Sequence, residues 1–538
     1  NEKKMYATTL TVLAENSDKG AYLETEQNTT QYYADMMLNV NKYFAGDNWN
    51  ITATVGASLL DLNYRALNFG GGLLTIPNFF SPNNVNVSGK LTYRRGNYHD
   101  RTNSLFGTAS LGYKSLAYLE GSLRNDWLSA LAGTNHSSIL YPSIGVSAIL
   151  TNIFKINPDY LSYAKVRLSY SEVGNAPTRF SAITTYPVYG GLTTTSYFPV
   201  KDLEPERTHS WEAGLNLAFF NNQLTLDATV YKSYTENQLF NPSISSTTGY
   251  SSMYINAGKV TNKGIELALS YKDKLGTVDW SSTLLWSLNR NRIDQLLPEY
   301  TNEELGVTVR LDEMDVNSLG GAKQRLTVGG SMGDLYVNTL RTDERGYIWV
   351  NSKTNTLAGD KNNYVYAGNT NPKYTLSWRN NLRWKGINLG FMLNARVGGV
   401  GVSATQAVMD YYGVSKATAK ARDNGGVLVN GNNKLDAQTW YQTIGGNGVD
   451  YIGAYYVYSM TNIRLGELTL GYDIPINQWC KFVKELNVSL VGRNLWMLYC
   501  KAPFDPESTV GTGTYSTGMD YFMQPSLRSI GFAVKVTL

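Results

Sequence analysis

Long apolar runs are missing from this sequence. Although 42% of its 538 residues are hydrophobic, no run approaches the roughly twenty residues that a membrane-spanning helix needs. If the chain crosses a membrane, it must therefore cross as strands. Cysteine is equally scarce, with only Cys480 and Cys500. We expect these two to be unbridged, because one falls in a short turn and the other near the far end of the following strand.

Charge of one sign and histidine are also in short supply. A net charge of +4 does not point to a nucleic-acid partner. His99, His136 and His209 are scattered and lack the spacing of a helical zinc site. We therefore expect no enzyme activity, no metal and no cofactor. A spatial Ser-His-acid site built on His136 or His209, as in an outer-membrane lipase, is the enzymatic alternative.

What the chain has in abundance is alternation with a period of two residues. Leu224, Leu226, Ala228 and Val230 share one face of a strand, and polar residues, including Asp227, share the other. The pattern recurs in Trp211–Phe219, Ile265–Tyr271, Ile51–Leu59, Ala164–Tyr170, Pro142–Leu150, Tyr374–Trp384, Ile387–Arg396 and Ser529–Leu538. Hydrocarbon on one side and charge on the other is typical of a wall between lipid and a wet lumen. The sequence predicts an all-β fold, a transmembrane antiparallel β-barrel, with an all-β secreted protein as the alternative.

Short and long connections alternate along the chain, and outer-membrane barrels keep short turns in the periplasm and long loops outside. The predicted periplasmic turns are Gly46–Asn48, Lys114–Ser115, Phe220–Asn222, Lys274–Val278 and Lys385–Gly386. The predicted extracellular loops are Ala66–His99, Asn175–Pro205, Asp294–Lys323, Val402–Tyr458 and Lys501–Gln524. Their length exceeds that of a simple hairpin and indicates function. This organisation predicts roughly sixteen to eighteen strands.

Two local features refine the prediction. The apolar parity of Ile463 and Leu465 differs from that of Leu468 and Leu470, which a β-bulge at Gly466-Glu467 explains. Within the fourth long loop, Gln406–Arg422 is rich in helix formers and is followed by Asn424-Gly425-Gly426. We expect one short external helix there, ending at a glycine cap.

Many separated blocks of the sequence resemble one known family. They include LEPERTHSWEAGLNLAFFNNQLTLDATVYK at Leu203–Lys232, NAGKVTNKGIEL at Asn256–Leu267, MTNIRLGELTLGYDIP from Met460, VSLVGRNLWMLY from Val488 and FDPES at Phe504–Ser508. The order and content of these blocks are similar to those of the SusC-like TonB-dependent transporters of the Bacteroidetes outer membrane. The resemblance covers essentially the whole chain.

The resemblance implies an integral outer-membrane importer of oligosaccharides or oligopeptides. Members of the family have a TonB-contacting segment, a plug domain and twenty-two strands, so residues 1–538 would be the C-terminal portion of the barrel, without the plug and the first strands. The implied partners are a SusD-like surface lipoprotein acting as a lid, the TonB-ExbB-ExbD system acting through the plug, the missing N-terminal part of the same transporter, and outer-membrane lipid.

The residues alone leave other functions open. A sheet in lipid must close, because an unpaired edge leaves backbone groups without hydrogen bonds. Porin-like closure of sixteen or eighteen strands on themselves, giving a passive channel, is therefore the structural alternative. An adhesin or purely structural barrel is a third class, which predicts a closed lumen and no lipoprotein partner.

Candidate binding residues fall into two groups. Arg379, Arg383 and Arg396 lie on the inward parity of adjacent strands. They are either solvated charges of the wall, contacts to a plug, or contacts to a substrate. External aromatic side chains could stack on sugar rings or peptide side chains; these are Tyr189, Tyr197, Phe198, Trp440 and Tyr441. Packing within loops is the alternative role for these rings.

Overall fold

The fold was established from a computed structural model. It describes residues 2–538 except 7–18, 87–91, 133, 178, 180, 182–196, 199, 201–202, 243, 432, 477–478, 481 and 509–516. None of the helices in this described part is long and apolar enough to cross a membrane.

A wall of sixteen antiparallel strands dominates the molecule, with neighbours in the wall following one another along the chain. Its strands are β1 (Glu2–Tyr6), β2 (Ala21–Phe44), β3 (Trp49–Gly72), β4 (Thr92–Tyr113), β5 (Ala117–Leu128), β6 (Ser138–Ile149), β7 (Leu161–Asn175), β8 (Glu206–Phe219), β9 (Leu224–Phe240), β10 (Ile255–Leu275), β11 (Val278–Gln295), β12 (Tyr374–Trp384), β13 (Ile387–Val397), β14 (Asn462–Ile474), β15 (Glu485–Cys500) and β16 (Ser529–Thr537). The all-β prediction and the lower strand count are confirmed.

The register of the wall places apolar side chains on one common face. Leu226 of β9 lies opposite Leu217 of β8 and Leu269 of β10. Since directly paired residues project to the same side of a sheet, these three belong to one apolar surface. The surface is exposed, with Val230 50% and Leu269 40% accessible. Exposed aliphatic side chains in such numbers suit contact with lipid.

The short turns lie where the sequence predicts them. For example, Lys385 and Gly386 both have positive φ, 46° and 86°, as the tightest two-residue hairpins require. The connection between β6 and β7 is longer and contains helix α1 (Leu150–Phe154). The predicted loop over residues 66–99 is wrong in extent, because β3 continues to Gly72 and β4 begins at Thr92.

The predicted β-bulge is confirmed. The pairing of β13 with β14 shifts after Met392, and Gly466 is the residue left unpaired between Leu465 and Glu467. The expected single helix is instead two helices, α2 (Ala404–Tyr411) and α3 (Lys416–Asp423). Gly413 breaks the run because its φ of 69° cannot continue a right-handed helix.

Both cysteines are free thiols, as predicted. Cys500 ends β15, and Cys480 lies in the connection between β14 and β15 at the opposite end of the wall. Because a disulfide needs Cα atoms within about 7 Å of each other, these two cysteines cannot be bridged within the chain.

The long connections on the other end of the wall are themselves folded. Their short strands are Tyr197–Phe198 with Ser252–Met253; Leu297–Asn302 with Val307–Leu311; Glu313–Leu319, Ala322–Thr327, Asp334–Leu340 and Gly359–Asn369 in one sheet; Val400–Ser403, Val457–Ser459 and Met519–Asp520 in another; and Val427–Val429 with Asn433–Leu435. Helix α4 (Ala437–Gly445) joins α2 and α3 in the same region. The sequence had predicted loops here, with one helix.

The wall has two open edges in the part of the chain that the structure describes. β1 pairs with β2 over Ala21–Thr25 alone, and β16 pairs only with β15. Beyond Thr25, β2 is exposed on both faces, with Tyr32 68% and Met36 81% accessible. Self-closure of these strands, which the porin alternative requires, is not seen between β1 and β16.

Candidate functional site

Three extracellular connections pack into one structure above the wall, here named the external layer: residues 296–373, 398–461 and the described residues of 501–528. Its core draws Leu335 and Val337 from the first connection, Val402 and Ile444 from the second, and Met519 from the third. These five side chains are at most 3% exposed. Because hydrophobic residues from distant parts of the sequence share one core, the layer is a folded unit rather than three independent loops.

Polar contacts join the connections of the external layer. The Gly453 amide donates to Asn338 Oδ1 at 2.7 Å, and the Ser403 hydroxyl donates to Asp520 Oδ2 at 2.5 Å. The Tyr451 hydroxyl donates to the Leu319 carbonyl. Tyr451 is fully buried, and burial, followed by the nearby Tyr364 and Asp520, raises the pKa of its hydroxyl above the usual range. The group therefore stays protonated and able to donate.

Removing that hydroxyl tests the joint between the first two connections. Tyr451→Phe should destabilise the external layer by about 1–2 kcal/mol, because the partly buried Leu319 carbonyl loses its donor. Tyr455→Phe is the matched control, since Tyr455 is 39% exposed. Hydrogen exchange of amides in residues 319–340 measures the difference. Equal exchange in the two variants would contradict the predicted role of the Tyr451 hydroxyl.

A buried ion pair fixes the third connection to the wall. Arg464 of β14 and Asp505 have side chains only 5% and 8% exposed, and Arg464 Nη2 lies 2.9 Å from Asp505 Oδ1. Arg464 Nη1 also lies 3.3 Å from Glu507 Oε2. Burial acts to raise the pKa of Asp505, but hydrogen bonds from Ser526, from the Glu507 amide and from Arg464 outweigh it and lower the pKa to about 2.

These ion-pair residues did not emerge as site candidates from the sequence. The FDPES block that contains Asp505 and Glu507 was noted only as a family resemblance. The one sequence feature that could have pointed to Arg464 is its position on the inward face of its strand, next to the bulge at Gly466. Its partners lie about forty residues away along the chain, so only the folded structure brings them together.

Several aromatic candidates turn out to be packing residues. Trp440 is 8% exposed in the core of the external layer, against Tyr455 at 5.5 Å, and Tyr441 packs partly buried on the same core. Phe198 is 8% exposed in a smaller cluster with Met253. Because burial removes these ring faces from solvent, the expectation that Trp440 and Phe198 stack on an external ligand needs correction.

The other two aromatic candidates differ from these. Tyr197 is partly exposed and its ring lies edge-on to Tyr254 at 5.2 Å. Tyr189 lies outside the described residues. A ligand role for Tyr197 and for Tyr189 stays a prediction.

The three candidate arginines lie on the face of the wall opposite the apolar surface, and their role as substrate contacts stays a prediction. Arg379 and Arg383 line one cavity of about 690 Å³. Arg383 Nη2 lies 2.8 Å from Asp473 Oδ2, and Arg379 Nη2 lies 3.9 Å from Glu467 Oε1. Both guanidinium groups are mostly exposed, so they can bind a further acceptor.

Arg396 lies apart from the other two, in a second lumenal cavity of about 790 Å³ beneath the external layer. Its Nη2 donates to the Thr370 carbonyl at 2.7 Å. Its Nε atom is buried and has no acceptor among the described residues. Arg396 therefore ties the first connection to the wall.

Charged groups of both signs line this second cavity, including Arg167, Asp227, Glu266 and Glu507. Arg167 Nη2 lies 3.2 Å from Asp227 Oδ1, and its Nη1 donates to Asn216 Oδ1 at 2.6 Å. A polar, mixed-charge surface of this kind can hold a polar ligand or a plug by hydrogen bonds.

The three histidines are not among the described residues that line the two cavities. His99 lies 2.9 Å from Asp61, His136 lies 3.7 Å from Glu204, and His209 lies 3.2 Å from Glu236. Within the described residues, no group of three or more His, Cys, Asp or Glu side chains is arranged to hold a metal ion.

Comparison with known proteins identifies the family. Residues 5–495 match the family model described as "TonB dependent receptor-like, beta-barrel". The chain belongs to this family. This TonB-dependent receptor barrel is 25% identical over 569 residues to TonB-dependent receptor P3 of Formosa agariphila, covering 96% of the chain and 53% of that protein. It is also 25% identical over 292 residues to TonB-dependent receptor SusC of Bacteroides thetaiotaomicron. That match covers 52% of this chain and 27% of SusC.

A solved structure shares the fold. The RagAB peptide importer in its open-open state gives a TM-score of 0.76 at 16% identity, covering 100% of this chain and 57% of the matched chain. The SusC-like identification and the outer-membrane location predicted from the sequence are confirmed, and this receptor barrel is an integral outer-membrane protein. The chain spans about half the length of the relatives that it matches most fully.

Proposed function

We propose that this chain forms the greater part of the wall of an active importer that takes oligosaccharides or oligopeptides across the outer membrane. The observation that carries the proposal is the charged lumenal cavity that contains Arg396, since it lies directly below a folded external layer. Membership of the TonB-dependent receptor family supports TonB as the energy source. The chain supplies binding and gating surfaces, and no bond is made or broken by it.

The open edges of the wall support the proposal that residues 1–538 are the C-terminal portion of a larger barrel. Each unpaired backbone group in hydrocarbon costs several kcal/mol. Among the described residues, β2 beyond Thr25 and the outer side of β16 carry many such groups. Further strands and a plug, written upstream or on another chain, would pair with both edges and fill the lumen. Mass spectrometry of every polypeptide in the purified complex, with N-terminal sequencing, tests this.

The proposed lid is a SusD-like surface lipoprotein seated on the external layer. The layer offers a preformed surface because its own core holds the three connections in place. The RagAB peptide importer, which shares the fold, makes an oligopeptide the first substrate class to test. Purification of the tagged transporter should bring a lipoprotein with it, and a barrel that purifies alone would favour the adhesin or structural class.

Energy dependence is the decisive test of import. In cells that rely on this transporter, uptake of an oligopeptide or oligosaccharide mixture should fall to background when TonB is deleted or the proton gradient is collapsed. The reason is that a plug held in the lumen opens only when work is done on it. Radiolabelled uptake measures the effect. Uptake that continues unchanged would favour a passive porin.

A further inference from the structure

The outward face of the wall changes from apolar to basic along β9, β10 and β11. On β9 the outward residues are apolar up to Val230, and the next one is the exposed Lys232. Lys232 pairs directly with Lys263 of β10, and Lys263 pairs directly with Arg290 of β11. Directly paired side chains have Cβ atoms about 4.5–5.5 Å apart on the same face. Lys232, Lys263 and Arg290 therefore form one line, here named the cation row.

Within the part of the chain that the structure describes, the cation row has no counter-charge. Like charges directly opposite each other destabilise a sheet, so carboxylates normally accompany them. Among the described residues, no carboxylate lies within ion-pair distance of the three. Arg290 Nη1 donates to two backbone carbonyls, that of Lys373 at 2.8 Å and that of Asn289 at 3.2 Å.

Other cations on the same face differ in this respect. Further from the membrane centre, Arg292 pairs with Asp294 at 3.6 Å and Lys259 pairs with Glu236 at 3.7 Å. His209 lies 3.2 Å from the same Glu236. Glu236 lies four residues along β9 from Lys232, and Asp294 lies four residues along β11 from Arg290. Because no described carboxylate lies beside the cation row itself, the row offers a place for an anion from outside the chain.

The depth of the cation row fits the lipid headgroups. Lys232 lies about 27 Å along β9 from Leu224 at roughly 3.4 Å per residue, or about 20 Å along the membrane normal for a tilt of roughly 40°. The lipid-facing band of such barrels is about 25 Å tall. Trp211 pairs with Lys232, and its ring lies tilted against the Tyr170 ring with centroids 4.7 Å apart; aromatic rings of this kind mark the membrane interface.

We propose that the cation row binds the phosphorylated headgroup of a lipid in the outer leaflet. The neighbouring row of Val230, Ile265 and Leu288 lies on the hydrocarbon side and packs against the acyl chains. A phosphate group accepts several charge-assisted hydrogen bonds at once, which suits one guanidinium and two ammonium groups. The inference rests on the position of the wall in the membrane and is independent of the import proposal.

Lipid binding by the full-length transporter tests the proposal. Native mass spectrometry measures binding of lipid A, phosphatidylglycerol and phosphatidylcholine to the wild type and to the K232Q/K263Q/R290Q variant. A cation near an anionic lipid surface is worth about fivefold in affinity, so the variant should bind the two phosphorylated, anionic lipids on the order of a hundredfold more weakly. Phosphatidylcholine should bind weakly to both proteins.

Matched variants make the result interpretable. K353Q/K416Q/K420Q removes the same charge from exposed external-layer lysines and should bind lipid as the wild type does, whereas K232R/K263R should retain binding. If the triple variant does not fold, judged by gel mobility without heating, the single change Lys263→Gln should weaken binding about fivefold. Unchanged lipid binding in the folded variant would overturn the proposal. If the triple variant keeps its lipid but loses a protein that co-purifies with the wild type, the cation row binds that protein instead, and the proposal is overturned.

Discussion

Replacement of Arg464 by methionine should destabilise the connection between β15 and β16 by about 3–5 kcal/mol, because it leaves a buried carboxylate without its partner. Asp505 would keep only amide and hydroxyl donors, and Glu507 would lose its cation. The same carboxylate accepts from the Ser526 amide at 2.9 Å, so it also holds the returning part of the connection. Limited proteolysis of the full-length transporter within residues 501–528 measures the loss.

Arg493→Met provides the control on the adjacent strand. Arg493 pairs with Glu467 at 3.4 Å but is 66% exposed, and exposed pairs of this kind contribute at most about 1 kcal/mol. Equal protease sensitivity of the two variants would show that burial of the Arg464 pair carries no extra stability.

Acid should act on the same contact. The pKa of Asp505 in the folded protein, about 2, lies below the value of about 4 in an unfolded chain. The stabilisation is therefore fully present above about pH 4 and is lost as the pH falls toward 2. In wild type, protease sensitivity of the connection should rise over this interval, whereas in the Arg464→Met variant the midpoint of the rise should lie at higher pH.

A charge placed on the lipid face should destabilise the wall itself. Leu269→Arg puts a guanidinium in the apolar surface shared with Leu226, at an expected cost of about 2–4 kcal/mol near the bilayer centre. The folded fraction of the full-length transporter in outer membranes should fall accordingly. Gel mobility of unheated samples, followed through a urea titration in lipid vesicles, measures this fraction.

The neighbouring residue gives a matched control with the opposite orientation. Ser270 faces the lumen, where its hydroxyl contacts Thr283 Oγ1 at 3.0 Å. Ser270→Arg adds the same side chain to a wet surface and should cost much less. If Leu269→Arg folds as well as Ser270→Arg, the assignment of the apolar face to lipid is wrong.

The wall was predictable because its rules are local. Alternation at Leu224–Val230 fixes which side chains share a face, whatever strand lies alongside. The change of apolar parity around Gly466 predicted the β-bulge, and the turn residues Lys385 and Gly386 predicted a hairpin. Each of these signals spans a few residues, so it survives in a single sequence without any knowledge of distant contacts.

The external layer was not predictable in the same way. An aromatic residue in a long loop, such as Trp440, suggests a ligand contact from the sequence. In the structure, three connections that are distant in sequence bury it in a shared core. The break between α2 and α3 at Gly413 and the extra helix α4 depend on that packing, with Ser415 accepting from the Thr418 amide to begin α3. Short strands such as Val400–Ser403 form because partners from other segments, Val457–Ser459 and Met519–Asp520, complete their hydrogen bonds.

The sequence by itself determined the strand pattern, the orientation of the wall and its family, because period-two hydrophobicity and short turns are properties of neighbouring residues. Only the tertiary structure decided that Arg464 meets Asp505, that Arg396 reaches Thr370, and that Lys232, Lys263 and Arg290 form one row. The physical reason is that each of these contacts joins residues remote in sequence, and the register between strands sets their distance.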